Sequence, residues 1–148
     1  MTLRYLLDTN VISEPLRPAP DQAVLARLQQ LQAEVAIASV VWHELWYGCR
    51  RLPPSTKRTV IEAYLNEVVD PTIPVLPYDR QAATWHAEER ARLAQIGRTP
   101  PFADGQIAAI AATNGLSLVT FNLGDYAAFA SLRVEDWRAG WPPPANGD

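Results

Sequence analysis

The chain has 148 residues, a formal net charge of −3, 48% hydrophobic residues and a single cysteine. It is long enough for one ordinary domain with a buried core, and no apolar run approaches the ~20 residues that a membrane-spanning helix needs. An intrachain disulfide is excluded, as are an overall basic nucleic-acid binder, a zinc site of Cys/His spacing, a glycine-rich phosphate loop and a repeat protein.

In chain order, the first element is a short strand over residues 3–7, ending in Tyr5, Leu6 and Leu7, and Asp8 follows it directly. A carboxylate after a buried run is costly unless something uses it. Two uses are open. Asp8, Thr9 or Asn10 caps the helix that VISEPLR begins, or Asp8 serves a ligand site at the carboxyl end of a parallel strand. Residues 22–32 place Val24, Leu25, Leu28 and Leu31 on one helical face. VAIAS, 35–39, reads as a second strand, with Ser39 as N-cap of a helix carrying VVWHELWYG that Gly48 weakens or ends.

After the Pro53-Pro54 break, Val60, Ile61, Tyr64, Leu65 and Val68 form the stripe of a third helix. A proline-bounded strand is expected near 74–76. The helix from Arg80 to Ile96 carries Ala83, Ala87, Ala91 and Ala94 along one side, a small-residue face suited to close helix contact. IAAIAA, 107–112, is apolar on nearly every side and is expected to be buried, with Asn114-Gly115 as its stop. LSLVT, 116–120, and LRV, 132–134, complete the strands. This alternation predicts an α/β fold with a mostly parallel central sheet of four to five strands and helices on both faces. The domain is expected over 1–138, with a flexible proline-rich tail over 139–148. One cysteine and the absence of a secretory pattern at the N-terminus point to a cytoplasmic protein.

Four carboxylates fall at the carboxyl ends of the strands or in the adjacent helix starts: Asp8, Glu44, Asp104 and Asp125. Each alone has a plain structural use in a cap, a surface ion pair or a helix dipole. Gathered at one edge they would repel one another unless a cation sat among them, and an oxygen set without His or Cys suits Mg2+ or Mn2+. His43, next to Glu44, points to a different helix face. His86 is expected on a helix surface, and Trp42, Trp46 and Trp85 in the core or a subunit interface. Local cations that could meet a polyanion are Arg50, Arg51, Lys57, Arg58, Arg90, Arg92 and Arg98.

The ordered set LLDTNVISEPLRP at the start, S-x-x-x-x-E-L-x-x-G over 39–48, D-x-x-I-A-A-x-A over 104–111 and VTFNLGDY over 119–126 resembles a PIN-domain ribonuclease of the VapC toxin family, most closely the FitB-like subgroup. The resemblance spans residues from about 4 to about 137. It implies a PIN-like three-layer fold, a magnesium-dependent endoribonuclease acting on RNA, a cognate antitoxin protein as partner, and a homodimer. Carried over position by position, it implies that Asp8 and Asp104 bind the metal and that Glu44 is the acid of the second helix. The fourth position falls at Asn122 or Asp125; Asp125 carries the charge, with Asn122 and Thr120 as neutral hydrogen-bonding neighbours. Phe121 stands where family members often have a basic residue. Two other readings stay open: a non-catalytic PIN-like module that binds RNA or protein, against which the intact acids count, and a phosphatase using Asp8 as nucleophile, against which Asn10 counts.

Overall fold

The computed structural model describes residues 2–138. Five strands, β1 (Tyr5–Leu7), β2 (Val35–Ala38), β3 (Val75–Leu76), β4 (Ser117–Val119) and β5 (Val134–Glu135), form one sheet in the order β3-β2-β1-β4-β5. Every pairing is parallel, with Tyr5 opposite both Val35 and Ser117 and Leu6 opposite Leu118. An all-parallel sheet needs helices on both faces, and the central strands accordingly lack polar alternation. Leu6 and Leu7 are fully buried, as are Ala36 to Ala38, Leu118 and Val119.

The helices are α1 (Thr9–Ile12), α2 (Gln22–Gln30), α3 (Ser39–Arg50), α4 (Thr56–Tyr64), α5 (Asp70–Thr72), α6 (Arg80–Gln95), α7 (Phe102–Thr113) and α8 (Leu123–Tyr126). A 3-10 turn, Glu14–Leu16, follows α1, and a π-helical stretch, Leu65–Val69, joins α4 to α5. Helix α7 is buried from Ile107 to Ala111, as its apolar sequence requires, and ends at Asn114 with Gly115 at φ 69°.

Several expectations change. Ser39 is the first residue of α3 and Ala38 its N-cap, without a side-chain cap bond, because β2 runs into the helix with no linker. Gly48 does not stop α3, which continues to Arg50; burial of Leu45 and Cys49 on the same helix outweighs the glycine penalty. Ala87, Ala91 and Ala94 are exposed, and α6 instead buries Ala82, His86 and Leu93, the side that meets α7. The stripe after Pro54 is split: Leu65 is buried, whereas Val60 and Val68 are exposed. Residues 139–148, expected as a flexible tail, lie outside the described residues. No helix among the described residues is long and apolar enough to cross a membrane.

Candidate active site

The two uses open to Asp8 prove compatible, because they fall on different oxygens. Oδ1 accepts from the Thr9 backbone N–H at 2.8 Å and caps α1. Oδ2 accepts from the Thr120 hydroxyl at 2.8 Å and from the Tyr126 phenol at 3.4 Å. Asp8 is only 7% exposed, so its burial is compensated by three donors on three separate segments.

Strand order sets what surrounds it. β1 is central, so the carboxyl end of β2, which leads into α3, lies on one side and the end of β4 on the other. Glu44, in the second turn of α3, accepts from the Thr9 hydroxyl at 2.5 Å, which ties α3 to the end of β1. Asp104 occupies the first turn of α7, where the helix dipole favours an acid. Asp125 is exposed in the first turn of α8, its N–H bonded to the Asn122 carbonyl at 3.0 Å.

Electrostatics link all four acids. The Asp104 carboxyl is pushed up to about 6, first by burial and then by the charges of Asp125, Asp8 and Glu44. Tyr126, buried among Asp8, Asp104 and Glu44, is held far above the ordinary phenol range by desolvation and then by those anions, so it always donates. Among the described residues, no group of three or more His, Cys, Asp or Glu side chains is placed to hold a metal ion. The donor chemistry, hard oxygens that destabilise one another, fits a hard divalent cation.

Asn122 is exposed, and its N–H donates to Thr120 Oγ1 at 3.0 Å, so Thr120 relays between Asn122 and Asp8. His43 is exposed and stacks on Tyr47 with ring centroids 6.0 Å apart, away from the acids. A cleft of about 640 Å³ opens beside Thr9 and Glu44, with Arg17 and Lys57 in its lining. Arg58 and Arg92 are committed to ion pairs with Glu62 and Glu89, and Arg50 also reaches Glu62, at 3.3 Å. From the sequence Tyr126 carries no role and Thr9 only that of a candidate helix cap. The Thr9 contact joins residues 35 apart, and the Tyr126 contact joins residues 118 apart.

Residues 5–130 match the family model described as PIN domain. The chain belongs to the PIN-domain family. This PIN domain is 35% identical over 136 residues to the tRNA(fMet)-specific endonuclease VapC of Shigella flexneri, covering 91% of this chain and 98% of that protein. It is 36% identical over 135 residues to Toxin FitB of Neisseria gonorrhoeae, covering 89% and 97%. Among solved structures, FitAcB from Neisseria gonorrhoeae superposes with TM-score 0.80 at 36% identity, covering 88% of this PIN domain and 95% of that chain. DNA-bound VapBC from Salmonella typhimurium also reaches 0.80, at 30% identity with 91% and 98% coverage. These likenesses agree with the expected PIN-like three-layer fold.

Proposed function

We propose that this PIN domain is a magnesium-dependent endoribonuclease acting as the toxin of a toxin-antitoxin pair. The observation that carries the reading is the placement of Asp8, Glu44, Asp104 and Asp125 at the carboxyl ends of the strands and the adjacent helix starts, close enough for the other three charges to act on Asp104. Such an arrangement is electrostatically unfavourable alone and becomes favourable around a cation. Supporting it, relatives are named as endonucleases or ribonucleases, and related solved structures are VapBC and FitAB complexes.

In this reading Asp8 and Asp104 hold the ion. When bound, Mg2+ lowers the pKa of a water and offsets negative charge developing at the phosphorus. Thr120 and Tyr126 orient Asp8, and Thr9 fixes Glu44 Oε1, leaving Oε2 to accept a proton from the attacking water. Asp125, exposed in the first turn of α8, helps to order the attacking water. Lys57 in the cleft beside Glu44 supplies positive charge for an RNA backbone, next to Arg17, which is paired with Glu14 at 3.4 Å. An antitoxin protein is the proposed partner, and a homodimer the proposed assembly.

The test is to incubate the purified protein with total cellular RNA, with and without Mg2+, and to map the new ends. Discrete new ends that need Mg2+ are the expected result. Intact RNA with both Mg2+ and Mn2+ would overturn the reading.

A further inference from the structure

His86 is 2% exposed, yet it has no part in the reaction proposed above. Its Nδ1 is hydrogen-bonded to the Tyr78 hydroxyl at 2.8 Å, which fixes one edge of the ring. The rest of the ring faces the first turn of α7. Its centroid lies 4.8 Å from that of Phe102, and a Cβ built on Gly105 would sit 2.1 Å from Nε2. At that distance either the ring or the helix must shift, so a side chain at position 105 displaces His86 or α7.

Glycine is a poor helix former, and its use inside α7 therefore calls for a contact that excludes a side chain. Phe102 and Gly105 stand on either side of Asp104 in the same helical turn. The ring that touches both sets how closely this turn approaches α6. Burial and the charge of Arg90, whose guanidinium lies over Phe102, keep the imidazole neutral and so compatible with the apolar contact.

We propose that His86, anchored by Tyr78 and wedged against Gly105, is a positioning residue that sets the place of Asp104 among the acids. This rests on Asp104 as a metal ligand in the function proposed above. Outer groups that fix a ligand's orientation commonly change metal affinity by about 10- to 100-fold.

The experiment compares wild type with Gly105→Ala, Tyr78→Phe, His86→Ala and the double variant His86→Ala/Gly105→Ala. Each is read by thermal melting, by calorimetric affinity for Mn2+ alone, and by kcat and KM for RNA cleavage. Gly105→Ala forces α7 from α6 and is expected to weaken Mn2+ binding at least tenfold and to lower kcat with little change in KM. In the double variant the added methyl enters the space the ring vacates, so Mn2+ affinity recovers toward wild type. Should Gly105→Ala fail to fold, Tyr78→Phe releases the ring without overfilling and is expected to weaken Mn2+ binding severalfold. Folded variants with wild-type Mn2+ affinity, or a double variant no better than Gly105→Ala, would overturn the proposal. A wild-type protein that binds Mn2+ but leaves RNA intact would instead refute the nuclease reading, and the affinities would still decide the role of His86.

Discussion

Thr120 and Asp8, 112 residues apart in sequence, are joined by a hydrogen bond of 2.8 Å from the threonine hydroxyl to Oδ2. It ties the carboxyl end of β4 to that of β1. The same hydroxyl oxygen accepts from the Asn122 N–H, so one side chain orders both Asp8 and the turn that leads to Asp125. Thr120→Val keeps the shape and removes the donor. Cleavage is expected to fall by about 10- to 100-fold, the usual cost of losing a group that orients a metal ligand. The fold should lose only about 1 kcal/mol, the net worth of such a bond. Kinetics paired with thermal melting measure both, and unchanged cleavage would assign the orientation of Asp8 to Thr9 and Tyr126 alone.

Asp8→Asn and Asp104→Asn are each expected to abolish cleavage while leaving the protein folded. For Asp104 the direction of the stability change follows from its raised pKa of about 6 against an ordinary 3.8. The folded state holds the proton more tightly than the unfolded chain. Stability is therefore lost as pH rises from about 4 to about 6, and the whole cost is present at neutral pH. Asp104→Asn removes that cost and should raise metal-free stability at pH 7 by about 1 kcal/mol, after allowing for solvent screening of a half-buried group. Denaturant melts at pH 4 and pH 7 should show the gain only at the higher pH.

Proton and cation compete for Asp104. Affinity for Mn2+ should be nearly constant above neutrality and fall as pH drops through about 6, because a proton on Asp104 must then leave before the ion binds. Calorimetry at pH 5 and pH 7.5 checks this, with proton release expected at the lower pH. Equal affinity at both would mean that Asp104 is not a ligand.

Asp125 and Asn122 compete for the fourth position, and their surroundings differ. Asp125 is the largest charge influence on Asp104, whereas Asn122 enters through its backbone, donating to Thr120. Asp125→Asn should therefore reduce cleavage at saturating Mg2+ more than Asn122→Ala. The opposite order in single-turnover kinetics would assign the role to the Asn122 amide.

Val60 and Val68 are 54% and 49% exposed on the helical run that follows Pro54. A two-fold dimer that covers them is the expected state, and light scattering should show twice the chain mass. Arg51 lies over Tyr47 at 5.6 Å, while Arg50 is shared between Glu62 and Trp46. Charge reversal at Arg51 is thus expected to weaken RNA binding, and flatten its salt dependence, more than reversal at Arg50. A monomer at every concentration would sink the assembly.

Much of this arrangement was legible in the sequence, for a physical reason. The run Tyr5 to Leu7 followed by Asp8, and the all-round apolar stretch 107–112, are local patterns, and hydrophobic periodicity reports local patterns directly. What it missed depends on partners far along the chain. The alanines of α6 looked like a contact face because small residues permit close approach, but α7 meets the side bearing Ala82, His86 and Leu93. Nothing near His86 in sequence announces Gly105, so a buried wedge resembled a surface histidine. Ser39 resembled a cap because its type suits one, yet Ala38 holds that place where β2 runs on into α3.

The placement of β4 against β1 also bears on synthesis. During synthesis Asp8 is made 112 residues before the hydroxyl that orients it. Until β4 slots in beside β1, the first strand has a neighbour on one side only, and Asp104 and Asp125 have no fixed relation to Asp8. For the proposed nuclease, a product that stops short of Ser117 lacks the Thr120 hydroxyl that orients Asp8. The proposed activity therefore arises only once β4 has been made and has paired with β1.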